Sequence, residues 1–278
     1  MDNDKLKNFL KKGSEISGGA IGGAIGLIGG PVGAIAGGGL GVLTAQLMNE
    51  IVERSLTDRQ EVRIAATTTF LFNGVSKRLE KGDQIRNDGF FDKDIINRSK
   101  AEELFEGTIL KCSNQYQEKK IRFISGIFEE TIFNESISPE SANQILMIAD
   151  SLTYRKLCII SFYGRRIFDF ADEVLMKDVY SWYPDIIFTT DQKLLLQDLF
   201  ELINLDILDK DDLMMVSNKD IMPDKLKLTE IGSTLFNVMS LSEIVREDLI
   251  HLINELKYRD EWGVSTNGTK NGERNFKS

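Results

Sequence analysis

Histidine is nearly absent from this sequence: His251 is the only one in 278 residues. That scarcity argues against a zinc site, which draws on several His or Cys ligands. It also leaves any Ser–His–Asp or Cys–His catalyst dependent on one side chain. His251 lies in DLIHLINEL, a run with helical spacing, and reads as an ordinary helix residue. Cysteine is almost as rare. Cys112 and Cys158 are too few for a disulfide framework, which points to a reducing compartment. No GxGxxG after a strand and no GxxxxGK[ST] occurs, so nucleotide fingerprints are missing. The DxDxDG calcium loop is missing too. Asp209-Lys210-Asp211 sits in a turn of an acidic chain, and Asp211-Asp212 and Glu129-Glu130 read as solvated faces. A net charge of −9 argues against a general nucleic-acid coat, yet leaves room for a local basic pocket. The expectation is a non-enzyme without cofactor or metal.

The most informative absence is of charge. From Ile16 to Asn49 there is no Asp, Glu, Lys, Arg or His. Glycines recur every fourth residue in two rows, Gly18, Gly22, Gly26 and Gly30, then Gly29, Gly33, Gly37 and Gly41. Residues four apart share a helix face. In water each helical Gly costs about 1 kcal/mol relative to Ala. In lipid the backbone must satisfy itself, which restores the helix, and a glycine face lets two backbones approach closely. A solvated linker would carry Ser, Thr and charge in place of Ile, Leu and Val. Thirty-four residues make a rod of roughly 50 Å, against a bilayer core of about 30 Å. Gly29-Gly30-Pro31 breaks the middle. The stretch is expected to form a glycine-zipper membrane hairpin, or a re-entrant pair that inserts on assembly. Its helix-packing and pore residues would be Gly18, Gly22, Gly26, Gly30, Gly33 and Gly37. Lys5, Lys7, Lys11 and Lys12 before it, and Arg54 and Arg59 after it, suit two cytoplasmic ends. No cleavable signal peptide is expected. Burial in an oligomer core is the soluble counterpart of this reading.

The rest of the chain is mainly α. Residues 1–15 form a polar lead-in, expected to be solvated at the headgroups, and 16–50 the glycine segment. Residues 51–190 form a helical assembly or regulatory domain. There Thr57 and Gln60 make a capping box before a helix that stops near Gly82, and Ser99 and Glu102 make a second. Residues 82–98 read as a loop anchored by Phe90-Phe91. A long helical run over 101–134 is expected to break, if anywhere, at Gly126. Ser138-Pro139-Glu140 starts the next helix, whose periodicity runs on to Tyr163. In 191–257, a helix over Lys193–Leu205, strands at Leu213–Ser217 and Lys225–Thr229, and the LTEIGSTLF helix resemble a winged-helix module, closed by Leu241–Leu256. Asp198, Glu201 and Asp206 give its first helix the wrong charge for a DNA groove, so a protein contact is expected there. Residues 258–278 are expected to be disordered.

Basic residues recur beside aromatics: Lys119, Lys120 and Arg122 near Tyr116 and Phe123, Arg155 and Lys156 beside Tyr154, and Arg165 and Arg166 after Phe162 and Tyr163. Arg59 and Arg63 lie one turn apart on a polar face. Cations beside aromatics suit an anionic ligand held by phosphate contact and stacking; solvated helix ends are the plainer alternative.

The order of parts, with GGAIGGAIGLIGGPVGAIAGGG, SPESANQILMIADSL and LKLTEIGSTLF, resembles bacterial abortive-infection membrane proteins of the Abi-alpha kind and the ion-channel effector of Hailong-type antiphage systems. The resemblance implies a homo-oligomeric inner-membrane pore, the bulk of the chain cytoplasmic, that depolarises the infected cell. It also implies closure by a short single-stranded DNA made by a partner nucleotidyltransferase, with the basic clusters as its pocket. The rival expectation is a soluble oligomeric winged-helix regulator or scaffold.

Overall fold

The computed structural model describes residues 3–18, 57–95, 97–173, 175, 189–210 and 221–256. The glycine rows beyond Gly18, the expected strand at Leu213–Ser217, the Tyr183-Pro184 turn and the tail 258–278 lie outside them.

The architecture is mainly α. Helix α1 spans Asn3–Lys12 and the short α2 Ser14–Ser17. The long α3, Asp58–Glu80, opens on the expected Thr57/Gln60 capping box. Helix α4, Lys100–Ser113, opens on the Ser99/Glu102 box. Helices α5, Lys120–Phe133, and α6, Pro139–Ser151, complete a bundle in which α3 and α5 share the largest contact. Ser138 caps α6 with Pro139 in its first turn, as the sequence signalled.

Helix α7, Tyr154–Asp169, carries the rest. Against it pack α8, Thr190–Asn204, the second strand of a ribbon, α9, Glu230–Val238, a 3-10 turn at Leu241–Glu243, and α10, Arg246–Leu256. The ribbon pairs β1, Leu208–Asp209, antiparallel to β2, Lys227–Leu228, with Leu208 opposite Leu228. Gly232 of the LTEIG motif touches the ribbon so closely that a Cβ there would lie 2.1 Å from the Ile207 carbonyl oxygen. Thr229 Oγ1 accepts from the Gly232 amide at 3.0 Å, so the motif both caps α9 and seats it. One continuous apolar cluster runs from Phe9 to Leu256.

Three expectations are corrected. The run over 101–134 breaks at 114–119, where Asn114 ends α4 and Gln115 turns inward to the Asp150 carboxylate at 2.6 Å. Gly126 stays helical, because its bare Cα admits the backbone of α9: an added Cβ would sit 3.3 Å from the Val238 oxygen. The run from Ser138 to Tyr163 is two helices, divided where Thr153 caps α7 through the Lys156 amide.

The lead-in is the third. Phe9 and Leu10 are buried, and α1 and α2 lie along α3. Gly13 makes this approach possible: a Cβ there would lie 2.3 Å from the Ala66 nitrogen. Residues 3–17 are therefore a docked strap rather than a solvated tail.

Candidate functional site

The site grows from the first turns of α3, where the cations chosen from the sequence begin. Arg59 and Arg63, one turn apart, converge on Glu118 in the turn before α5. Arg59 Nε donates to Glu118 Oε1 at 2.6 Å and Arg63 Nε to the same oxygen at 2.8 Å. Arg63 also donates to the Ser113 carbonyl at 3.3 Å. Burial pushes the Glu118 carboxyl up, but the two guanidiniums outweigh it and hold the group below the usual carboxylate range.

Arg59 makes a second ion pair, with Glu15 of α2, and Lys12 of α1 pairs with Glu61. The two described ends that flank the glycine segment thus meet at one end of α3. Gly18 lies at the turn: it ends α2 with φ +69°, a left-handed conformation that glycine adopts without a Cβ penalty. Here Gly18 stops a helix, whereas the sequence reading made it the first residue of a zipper row. Gly22, Gly26, Gly30, Gly33 and Gly37 lie outside the described residues.

Beside this junction opens a cleft of about 550 Å³. Ile16, Ser17 and Gly18 line it together with the aromatic Phe70 and Phe123 and the charged Lys119, Arg122, Glu243 and Asp248. Lys119 Nζ bonds Asp248 Oδ1 at 2.6 Å and lies 5.3 Å from the Tyr154 ring centroid. Tyr154 donates its hydroxyl to Asp248 Oδ2 at 2.7 Å. Burial, then the Asp248 bond, pushes that phenol well above its ordinary value. Asp248 is itself pushed up by burial, yet the bonds from Lys119 and Tyr154 prevail and hold it low. Arg122 pairs with Glu243. A second cleft of about 460 Å³ shares Lys119, Tyr154 and Asp248 and adds Arg155, Cys158 and His251. Burial pushes the Cys158 thiol up to about 12, so it is no nucleophile at neutral pH.

The remaining candidate cations lie outside the first cleft. Arg155 pairs with Asp198 and Lys156 with Glu201 of α8. Arg165 donates to Asp169 at 2.6 Å and to the Ile244 carbonyl at 2.7 Å. Arg166 donates to the Asp224 carbonyl at 2.8 Å. Lys120 is 3% exposed and donates to the Asp150 carbonyl at the end of α6, at 2.9 Å. Its burial lowers its pKa, and it faces the interior rather than any ligand.

Of the nine cations picked from the sequence, Lys119 and Arg122 line the first cleft, and Arg59 and Arg63 reach it through Glu118. The acids that complete it, Glu118, Glu243 and Asp248, escaped sequence reasoning. Arg122 and Glu243 stand 121 residues apart, and no local pattern announces such a pairing. Among the described residues no His, Cys, Asp and Glu cluster could hold a metal ion. No helix among them is long and apolar enough to cross a membrane. No protein-family model, curated protein or solved structure matches this chain.

Proposed function

We propose that this chain is a non-enzymatic, homo-oligomeric membrane effector of antiphage defence, in which the glycine-rich segment forms a pore across the inner membrane and depolarises the infected cell. One observation carries the reading. Glu15 and Arg59, on either side of the segment, are joined by an ion pair at the same end of α3. A membrane hairpin must leave and return on one side of the bilayer, and this closed base meets that demand. The residues between the described ends, 19–56, number thirty-eight. Glu50, Glu53 and Arg54 leave only 19–49 free of charge, and Gly29-Gly30-Pro31 divides that stretch into ten and eighteen residues, roughly 15 and 27 Å of helix. Only the second approaches the roughly 30 Å apolar core of a bilayer, so the pair would be re-entrant and complete the pore on assembly. Glycine faces would pack the halves and their copies together. The C-terminal ribbon and LTEIG helix serve, in this reading, as a winged-helix-like scaffold for assembly.

An anionic regulator would enter at the 550 Å³ cleft, displacing Asp248 from Lys119 and Glu243 from Arg122. The family resemblance makes a short single strand of DNA the form to try first. The test of the whole reading is a potential-sensitive dye in cells expressing the full chain. Replacement of Gly22 and Gly26 by Leu is expected to abolish depolarisation and toxicity at unchanged expression. Undiminished depolarisation overturns the pore, and recovery of the wild-type chain from the cytosol at every expression level favours the soluble scaffold.

A further inference from the structure

The nine cations discussed above all have partners inside the protein. The lysines of α1 are different. Lys5, Lys7 and Lys11 are exposed, and no ion pair is seen for them among the described residues. Only Lys12 is paired, with Glu61. At about 100° per residue, Phe9 and Leu10 mark the buried side of α1. The four lysines spread over the opposite arc of roughly 160°, with Asn8 among them. The burial of Phe9 and Leu10 and the close seat of Gly13 on Ala66 fix which side of α1 looks outward. Residues 1–12 hold four Lys and two Asp, a formal +2, within a chain of net −9. Six residues after Lys12 the chain reaches Gly18 and then the charge-free apolar stretch.

We propose that the outward face of α1, centred on Lys5, Lys7 and Lys11, is a docking surface for an anionic phospholipid bilayer. This inference rests on the membrane reading above and adds to it the chemistry of the lipid. A cationic face beside an inserting segment gains from negative headgroups, about fivefold in affinity per lysine near the surface. An apolar amphipathic anchor is not the device here, because the apolar side of α1 is already buried against α3. What α1 offers the bilayer is charge.

The experiment is flotation of the full-length protein with vesicles of phosphatidylcholine alone and with 30% phosphatidylglycerol by mole as the probe composition. The wild type is expected to bind the mixed vesicles more tightly. K5Q/K7Q/K11Q is expected to lower that affinity by on the order of a hundredfold, while its circular dichroism matches the wild type. K5R/K7R/K11R should restore it. A control, K81Q/K93Q/K193Q, removes three exposed lysines elsewhere and should change little. If the control loses as much as the α1 variant, or if phosphatidylglycerol makes no difference to the wild type, the docking surface is overturned while the membrane reading stands. If the wild type binds neither vesicle, the membrane reading falls, and this inference with it.

Discussion

Replacing Glu129 by Gln should stabilise the protein above neutral pH and flatten part of its pH dependence. Glu129, expected from the sequence on a solvated face, instead lies on α5 with its carboxylate against Gly74 of α3: a Cβ at Gly74 would come within 1.8 Å of Oε2. Burial is the main cause that raises its pKa, from the ordinary 4.5 to about 7. Arg78 and Lys77 of α3 pull it down, while Glu243 and Glu130 push it up. Folding therefore favours the protonated form. The sign follows from linkage: the contribution is fully present below about 4.5, is lost as pH rises to about 7, and stays constant beyond. At about 1.4 kcal/mol per pH unit, the loss is about 3 kcal/mol. The amide of E129Q keeps the shape without the charge. Urea unfolding of the full chain in detergent, followed by far-ultraviolet circular dichroism, should show variant and wild type within about 1 kcal/mol at pH 5. At pH 8 the variant should be more stable by up to about 3 kcal/mol. Other carboxylates titrate in both proteins and cancel. A constant difference across pH 5–8, or a variant less stable than wild type at pH 8, would refute the reasoning.

Other substitutions probe separate joints. Gly74→Ala should raise the free energy of unfolding by up to about 1 kcal/mol, since it improves helix propensity and the nearest obstacle is the far end of the flexible Glu129 side chain. Gly13→Ala meets the Ala65–Ala66 backbone instead, so it should cost about 1–3 kcal/mol and speed amide exchange across 3–17, read by mass spectrometry. Arg86→Ala should cost at least about 2 kcal/mol, because this buried guanidinium donates to the Thr131 and Asn134 carbonyls at the end of α5 and to the Ile137 carbonyl in the link to α6, and pairs with Asp88. Arg86→Lys should rescue little in the same melt, having no planar fork.

Much of the helical frame was legible because its signals are local. Thr57/Gln60, Ser99/Glu102 and Ser138-Pro139 each combine an acceptor and a spacing that only a helix start uses. The LTEIG glycine was legible as a motif, though its reason, the 2.1 Å approach to Ile207, was not. Gly126 misled for a similar cause. In sequence a helical glycine reads as weakness, whereas here the missing side chain is space claimed by α9, over one hundred positions away. Lys120 misled as well. A lysine in a run of cations looks solvated until a neighbouring helix end, the Asp150 carbonyl, is placed over it. The docked strap was hidden because four lysines dominate α1 in sequence, while two buried residues, Phe9 and Leu10, decide where it lies.

The pairing of the cleft's cations bears directly on how a ligand could act there. Lys119–Asp248 and Arg122–Glu243 have exposed cationic partners, and exposed pairs contribute at most about 1 kcal/mol each. An anion that takes both cations therefore opposes only about 2 kcal/mol, less than the roughly 8 kcal/mol of micromolar binding. The pairs are no obstacle, but they set the consequence. Asp248 and Glu243 belong to the C-terminal elements, while Ser17 and Gly18, which line the same cleft, lead into the glycine segment. Freed carboxylates would repel an anion in the cleft and so strain the contact between these elements. Asp248→Asn removes one carboxylate and keeps Tyr154 and Lys119 within hydrogen-bonding reach. It should strengthen binding of an oligonucleotide of deoxyadenosines, measured by fluorescence anisotropy, and Lys119→Gln should weaken it. If neither change moves the affinity, or if both lower it equally, the cleft is not where an anion binds.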